Sequence, residues 1–269
     1  MDKILILGAS GLVGKALSEE LNKKYEVCGT YNSSKIVSNK LFYFNLSKGE
    51  VYKIIDILNT VKPLIIIYCL RGNFNCQIEL LNELIKYLKP VNGKLYFCST
   101  ANVFDGDMAT PHLKNDEPIA KSDYGKFKIE CERILKKDLS HNSIIFRLPM
   151  LWGKYSQRLN SLVTALTNNE KVDVYTNLYL NNNTDVMLAK QISYIIENNL
   201  EGIFHLGSNE VINHYEFVKK IITNLGYKHT KFNEEENPTE RYLAVLPNDE
   251  ELPKEFNFTN ENVICYLTS

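Results

Sequence analysis

The sequence predicts an α/β fold: a doubly wound parallel sheet in the first part of the chain and a smaller C-terminal region after it. Two observations support this fold class. Up to about residue 147, short apolar runs alternate with amphipathic segments of helical spacing, as in crossover units on a parallel sheet. A glycine-rich turn, Gly8–Gly14, directly follows the first apolar run. With 269 residues and 44% hydrophobic content, the chain can bury a full core.

The elements follow in order from the N-terminus. Ile4–Leu7 is a continuous apolar run that ends in glycine, as in a strand buried on both faces. From Leu12 the apolar residues recur at helical spacing as far as Leu21, which predicts a helix that ends at Lys23-Lys24. The same patterns predict further strands over Tyr25–Thr30, Leu41–Phe44, Leu64–Cys69, Lys94–Cys98 and Ser143–Arg147, and helices near Val51–Leu58, Ile78–Leu88 and Tyr124–Lys136.

Beyond Trp152 the patterns are weaker, and the expected division lies there: residues 1–152 as the sheet domain and residues 153–269 as a region that contacts substrate. Part of that region, about residues 172–200, is expected to return to the sheet. The tail after Gly226 is polar and is expected to be irregular. The predicted elements are helices near Leu159–Leu166, Val186–Asn198 and His214–Leu225 and a strand at Gly202–Leu206.

Charge and cysteine content argue against several functions. A formal net charge of -1, from 31 basic and 32 acidic side chains, creates no field that attracts nucleic acid or an anionic membrane. The six cysteines and five histidines are scattered without metal-ligand spacing, so no metal is expected. No apolar run resembles a signal segment or a membrane span. We therefore expect a soluble, cytoplasmic protein with reduced thiols.

The glycine-rich turn predicts a dinucleotide-binding loop. Gly8 permits a tight turn, Gly11 leaves room for a pyrophosphate, and Gly14 lets the following helix press on the sheet. A helix N-terminus also attracts phosphates. The next strand ends without the acidic residue that NAD-preferring sites use; the hydroxyl-rich Tyr31–Ser34 and then Lys35 follow instead. This favours NADP, whose 2′-phosphate these groups could hold, with NAD or an ordinary solvated loop as the alternatives.

A tyrosine and a lysine suggest the chemistry. Tyr124 and Lys128 are four residues apart on a predicted helix, so their side chains lie one turn apart on one face. A phenol titrates near pH ~10, and a neighbouring ammonium favours the phenolate, so Tyr124 could exchange a proton near neutral pH. The strand Lys94–Cys98 runs into Ser99-Thr100, which places a hydroxyl at a carboxyl end, where ligands bind in such sheets.

With these motifs the chain resembles the extended short-chain dehydrogenase/reductase family, and within it the dTDP-4-dehydrorhamnose reductase branch. The resemblance covers most of the chain and is specific up to about Gly153. The similar segments, in order, are Gly8–Gly14, Ser99-Thr100, Val103-Phe104-Asp105-Gly106, Glu117-Pro118, Tyr124-Gly125 with Lys128 and Glu130, Phe146-Arg147, Trp152-Gly153 and Asn183-Thr184-Asp185-Val186.

The resemblance implies NADPH-dependent reduction of the 4-keto group of a nucleoside-diphosphate 6-deoxy sugar, for surface polysaccharide biosynthesis. It implies that Thr100 holds the substrate carbonyl, Tyr124 donates the proton and Lys128 binds the nicotinamide ribose. The expected substrate contacts are Asn102, Val103, Phe104 and Trp152. The expected cofactor contacts are Gly8, Ser10, Gly11, Leu12, Val13, Gly14, Tyr31, Asn32, Ser33, Lys35, Asn45, Leu46, Cys69, Leu70, Arg71, Tyr124 and Lys128.

Some positions depart from the family pattern. Ala101 and Asn102 replace the usual Asp-Tyr, and the Asp-Glu pair of the dehydratase relatives is absent there, which argues against dehydration. Cys69-Leu70-Arg71 replaces small residues beside the expected nicotinamide. Two alternatives therefore stay open: a 4-epimerase that retains NAD, and a non-catalytic NADP-binding regulatory subunit. The sequence does not decide whether the chain forms a homodimer.

Overall fold

The computed structural model describes residues 3–33, 40–46, 49–248 and 251–269. The helices are α1 (Leu12–Leu21), α2 (Lys53–Val61), α3 (Phe74–Leu88), α4 (Asp123–Asp138), α5 (Gln157–Thr167), α6 (Asp185–Glu197), α7 (His214–Asn224) and α8 (Asn260–Thr268). The strands are β1 (Lys3–Leu7), β2 (Glu26–Tyr31), β3 (Leu41–Tyr43), β4 (Ile65–Tyr68), β5 (Lys94–Cys98), β6 (Ser143–Arg147), β7 (Met150–Trp152), β8 (Val172–Tyr175), β9 (Leu178–Leu180), β10 (Asn182–Thr184), β11 (Gly202–His205), β12 (Ile212–Asn213), β13 (Phe232–Glu235) and β14 (Arg241–Leu243).

One seven-stranded sheet, in the order β11-β6-β5-β4-β1-β2-β3, carries the fold. The pairs from β3 to β6 are all parallel. The chain starts at β1, runs outward through β2 and β3, and then returns to β4 on the other side of β1. This reversal is a switch point, and ligands of open α/β sheets bind at the carboxyl ends of the strands beside it. The predicted doubly wound parallel sheet is confirmed.

The chain divides into two compact units whose segments alternate along the sequence. The first unit is Met1–Ser99, Lys126–Phe146 and Ala189–Phe204, and the second is Thr100–Gly125, Arg147–Leu188 and His205–Ser269. Buried aliphatic residues of β1 and β4 form the interior of the first unit. The second has its own apolar cluster, which includes Trp152, Phe217 and Ile264. The expected domain boundary at residue 152 stays a prediction.

The expectation of an irregular tail is wrong. In the second unit, β13 pairs in parallel with β8, from Phe232 opposite Val172 to Glu235 opposite Tyr175. Thr259 and Asn262 form a capping box that starts α8, and α8 buries Val263, Ile264 and Leu267. β13 is mostly exposed and carries three polar residues in four, so its sequence lacks the apolar alternation of a strand.

The start of α3 also differs from the predicted Ile78. The helix begins at Phe74, because the side chain of Asn73 accepts a hydrogen bond from the backbone N–H of Cys76, which caps the first turn. Among the residues that the structure describes, no helix has both the length and the apolar character needed to cross a membrane.

Candidate active site

The glycine-rich loop after β1 has a conformation that only glycine supports. Gly8 has a φ of +88°, and its N–H donates to the hydroxyl of Thr30 at 2.9 Å. The N–H of Gly11 donates back to the Gly8 carbonyl at 3.0 Å. A Cβ on Gly14 would lie 2.2 Å from that carbonyl oxygen, so a side chain would push α1 off the loop. Gly11 is the N-cap of α1 and supplies only backbone there. This compact loop at a helix N-terminus fits a pyrophosphate.

The other predicted cofactor contacts of the first unit lie around the carboxyl ends of β1, β2, β3 and β4. The ring of Tyr31 meets the ring of Tyr43 edge-on at 5.9 Å, and the Asn45 amide lies 3.5 Å from the Tyr43 hydroxyl. Ser10, Leu12, Val13, Cys69 and Leu70 are half-buried, Leu46 is buried, and Asn32, Ser33 and Arg71 are exposed. Lys35 lies outside the described residues.

Lys128 is buried, and its ammonium donates to the carbonyl oxygen of Cys98 at 2.8 Å. The nitrogen also lies 4.3 Å from the centre of the Phe97 ring. Burial lowers the pKa of Lys128, although the nearby thiols and the carboxyl of Glu132 oppose this shift. The side chain therefore holds its charge at the end of β5 at some energetic cost.

Glu132, a buried acidic residue one helical turn after Lys128, was not among the predicted site residues. The Ser99 hydroxyl donates to Oε1 of Glu132 at 2.5 Å, and both residues are buried. Tyr124, Lys128 and Glu132 are spaced by four residues each, so they share one face of α4. This spacing was visible in the sequence and could have identified Glu132. Its negative charge favours the charged form of Lys128.

Thr100 belongs to the second unit, and its hydroxyl is engaged within its own turn. The Thr100 hydroxyl donates to Oδ1 of Asn102 at 3.1 Å and accepts from the Asn102 N–H at 3.3 Å. The Asn102 amide in turn donates to Asp105 at 3.3 Å. Asn102, which departs from the family pattern, thus links the catalytic threonine candidate to a carboxylate.

The carboxylate of Asp105 binds the segment that leads into α4. Asp105 accepts hydrogen bonds from the backbone N–H groups of Lys121 and Ser122 and from the Ser122 hydroxyl. Partial burial opposes ionisation of Asp105, but these hydrogen bonds and the one from Asn102 lower its pKa below the usual value. The Ser122 hydroxyl accepts from the N–H of Gly125 at 3.0 Å. A chain of hydrogen bonds therefore runs from Thr100 to the first turn of α4.

Tyr124 lies in that first turn and is half-buried. A Cβ on the next residue, Gly125, would lie 2.2 Å from the carbonyl oxygen of Asn102 and 2.7 Å from the Cβ of Ala120. The start of α4 therefore packs directly on the turn that carries Thr100 and Asn102. Within the second unit, the structure brings the segments of the two predicted hydroxyl groups together.

The remaining predicted substrate contacts are core residues. Val103 and Phe104 are fully buried, and the Trp152 indole donates to Asn182 at 2.9 Å while its ring packs on Phe217. Contact of these three side chains with a substrate stays a prediction.

Arg147 is likewise buried: it donates to the Lys114 carbonyl at 3.3 Å, and its guanidinium lies 4.9 Å from the Phe104 ring. The described residues contain no cluster of three potential metal ligands.

Comparison with known proteins gives one family and two kinds of relative. A family model described as the RmlD substrate binding domain matches residues 74–250, more than half of the chain. The dTDP-4-dehydrorhamnose reductase of Aggregatibacter actinomycetemcomitans is 26% identical over 238 residues, which cover 81% of this chain and 77% of that protein. Methionine adenosyltransferase 2 subunit beta of Xenopus tropicalis is 26% identical over 237 residues, 80% of this chain and 69% of that protein.

Solved structures show the same fold. A dTDP-4-dehydrorhamnose reductase from Bacillus anthracis, in complex with NADP, aligns with a TM-score of 0.76 at 20% identity and covers 98% of this chain and 97% of that chain. The enzyme WbmH of Bordetella bronchiseptica, in complex with NAD+, aligns with a TM-score of 0.77 at 16% identity, over 93% of this chain and 90% of that chain.

Proposed function

We propose that this chain, which belongs to the RmlD substrate binding domain family, uses NADPH to reduce the 4-keto group of a nucleoside-diphosphate 6-deoxy sugar. The observation that carries the proposal is the way α4 packs at its first turn and is held by a hydrogen bond one turn later. Its first turn, with Tyr124, packs against the turn of Thr100, and one helical turn later Lys128 is anchored to the end of β5. This packing fixes the backbone that carries the phenol, and the four-residue spacing puts the cation one helical turn away, which suits proton transfer to a carbonyl oxygen.

The loop after β1 suits the cofactor. The absence of a side chain at Gly14 lets the N-terminus of α1 pack directly on the Gly8 carbonyl, so a pyrophosphate would approach the backbone N–H groups at the start of that helix. No acid stands at the end of β2, where Asn32 and Ser33 are exposed, and this favours the 2′-phosphate of NADP over the bare ribose of NAD. NAD remains the alternative cofactor.

Three side chains would do the protein's part of the chemistry. NADPH, when bound, supplies the hydride. Thr100 would turn its hydroxyl proton from Asn102 toward the substrate carbonyl oxygen, and Tyr124 would deliver a proton to the same oxygen as negative charge develops. Lys128 would hold the ribose and favour the phenolate that remains on Tyr124 after proton transfer. The product would serve a surface polysaccharide pathway.

The test is NADPH and NADH oxidation, followed by absorbance, with dTDP-, UDP-, GDP- and CDP-linked 4-keto-6-deoxy sugars. We expect turnover with at least one sugar, a preference for NADPH, and a 6-deoxy product with a new hydroxyl at carbon 4. Failure to oxidise either cofactor with every sugar of the panel would contradict the proposal. Tightly retained NAD in the purified protein, with reversible change of configuration at carbon 4 and no net cofactor oxidation, would indicate the epimerase instead.

A second candidate function is that of a regulatory subunit. It is favoured by the similarity to methionine adenosyltransferase 2 subunit beta, together with the departures at Ala101 and Asn102. In this case the chain would bind NADP and a catalytic partner without turning over a sugar. Light scattering after gel filtration, with the chain mixed with a methionine adenosyltransferase catalytic subunit of the same organism, would reveal a complex. Two separate peaks at micromolar concentration would exclude a stable assembly of this kind.

A further inference from the structure

Two thiols that the proposed chemistry does not use lie side by side in the first unit. The Sγ atoms of Cys69 and Cys98 are 3.5 Å apart, and both cysteines are free. Cys98 ends β5, and Cys69 directly follows β4. We propose that this pair is an oxidation site, which a hydroperoxide converts into a reversible disulfide.

The backbone geometry suits such a bond. Tyr68 and Phe97 are partners in the parallel register, so Cys69 and Cys98 are the next pair along the two strands. Neighbouring strands lie about 4.8 Å apart, which is within the ~4.4–6.8 Å between Cα atoms that a disulfide requires. The sulfurs need only to approach each other from 3.5 Å to a bonded distance, a change that side-chain rotation can supply.

The surroundings favour ionisation of one of the two thiols. A hydrogen bond with Cys69 and the positive charge of Lys128 lower the pKa of Cys98, against the opposing effect of burial. The same hydrogen bond, together with burial, raises the pKa of the Cys69 thiol. Cys98 is therefore the group that ionises first, and Cys69, which is half-buried, is the resolving thiol beside it.

The reaction balances with a hydroperoxide as the oxidant. The Cys98 thiolate attacks the terminal oxygen, the O–O bond breaks, and the departing alkoxide takes a proton to leave as an alcohol, with a sulfenic acid left on Cys98. The sulfur of Cys69, as its thiol loses its proton, then attacks the Cys98 sulfur. The S–S bond forms, the S–O bond breaks, and hydroxide takes that proton to leave as water. Both thiols are oxidised, and the peroxide is reduced.

The pair lies next to the loop that would bind the cofactor. The Cys69 N–H donates to the Leu7 carbonyl at 3.0 Å, and a Cβ on Gly8 would lie 3.1 Å from the Cys69 carbonyl oxygen. Oxidation would also alter the strand end that holds Lys128. This consequence, unlike the disulfide itself, rests on the proposed function: bound NADP would shield the thiols, and the disulfide would weaken NADP binding by about tenfold.

Peptide mapping of the full chain tests the disulfide directly. The protein is treated with hydrogen peroxide, alkylated and digested with trypsin. Each thiol lies in a tryptic peptide with no other cysteine: Ile54–Arg71 holds Cys69, and Leu95–Lys114 holds Cys98. We expect these peptides to appear linked, at a mass two hydrogens below their sum, and to separate after dithiothreitol. Cys69→Ser and Cys98→Ser should abolish the linked species, and Cys265→Ser, at an exposed thiol, should keep it.

Recovery of both peptides fully alkylated, or with sulfinic acid and no link, would overturn the proposal, and this result needs no variant. Repeating the oxidation with NADP at ten times its Kd tests the disulfide separately from the proposed position of the cofactor. Shielding should slow linkage by about tenfold. If the link forms at the same rate with and without NADP, the disulfide stands and the cofactor position in the proposed function is wrong.

Discussion

The ammonium of Lys128 donates a 2.8 Å hydrogen bond to the carbonyl oxygen of Cys98, which ties a buried side chain of α4 to the end of β5. The Phe97 ring lies 4.3 Å from the same nitrogen. A buried ammonium is costly unless it is well paired, and here the carbonyl, the ring and the negative charge of Glu132 supply the compensation. The arrangement holds a cation in place before any ligand arrives.

Replacement of this cation should reduce cofactor affinity more than stability. We expect Lys128→Met to raise the Kd for NADPH by about 10- to 100-fold, because a charge-assisted hydrogen bond contributes roughly 1.5–3 kcal/mol. Methionine fills a similar volume in the core, so the protein should stay folded. Isothermal titration calorimetry measures the affinity, with Lys126→Met, at an exposed position of the same helix, as the control. Equal affinities of the two variants would show that Lys128 does not bind the cofactor.

Two glycines of the loop after β1 should respond differently to replacement by alanine. A Cβ on Gly14 would lie 2.2 Å from the Gly8 carbonyl, whereas a Cβ on Gly11 comes no closer than 3.4 Å to it. Gly14→Ala should therefore reduce the free energy of unfolding by about 1–3 kcal/mol. Gly11→Ala should cost less than about 1 kcal/mol. Both should weaken NADP binding, because a Cβ on Gly14 would displace the N-terminus of α1 and a Cβ on Gly11 would lie at the N-cap, where the pyrophosphate would approach. Urea unfolding without ligand distinguishes them, and similar losses of stability would contradict the packing argument.

Asn102 should act as a positioning residue. Asn102→Ala breaks the link from Thr100 to Asp105, so we expect a loss of roughly 1–2 kcal/mol in stability. We also expect kcat to fall by about tenfold while the KM for NADPH changes little, since the variant disturbs orientation at the carbonyl. The matched control is Asn142→Ala. Asn142 directly precedes β6, and this change removes its hydrogen bond to Asn92. We expect a lower kcat for Asn102→Ala than for Asn142→Ala. Equal kcat values of the two variants would show that Asn102 does not position the reacting groups.

The stability of the second unit should depend on a buried histidine. Burial, together with the positive charge of Arg147, lowers the pKa of His205 to about 3. Because the unfolded chain binds this proton near pH 6.5 and the folded chain does not, His205 contributes stability above pH 6.5 that is lost as the pH falls toward 3. The slope reaches about 1.4 kcal/mol per pH unit.

His205→Gln should reduce that slope between pH 6.5 and 4.5 in urea unfolding curves, and His229→Gln, at an exposed position, is the control. The buried His214 behaves similarly, since burial lowers its pKa to about 4, so part of the acid sensitivity should remain in the His205 variant. Parallel stability curves for wild type and His205→Gln would contradict the assignment.

The sheet and the glycine turn after β1 could be predicted from the sequence because their signals are local. The β1 run Ile4–Leu7 is continuous and apolar, and the glycines that follow it predict a tight turn into a helix. The helix that carries Tyr124 and Lys128 was also predictable from its periodicity. These features depend on spacing within about twenty residues of chain.

Features that depend on partners distant in sequence were not predictable. β13 is a strand only because β8, some 60 residues earlier, pairs with it. The Cys69 and Cys98 thiols meet because β4 and β5 are neighbours, which spacing alone does not reveal. Asn102 was missed for a different reason: its partners Thr100 and Asp105 are close in sequence, but its hydrogen bond to Asp105 depends on the conformation of the turn between them. Glu132 is the exception, since its spacing from Lys128 was a usable local signal.

The central claim is that Tyr124 is the proton donor of a 4-keto sugar reductase. The most direct test compares NADPH oxidation by wild type and Tyr124→Phe on whichever nucleoside-diphosphate 4-keto-6-deoxy sugar the wild type accepts, with Tyr155→Phe, at a position that is 90% exposed, as the control. We predict that Tyr124→Phe stays folded and still binds NADPH but loses about 10²- to 10⁴-fold in kcat, while Tyr155→Phe is unchanged. A Tyr124→Phe variant that turns over at the wild-type rate would contradict the account.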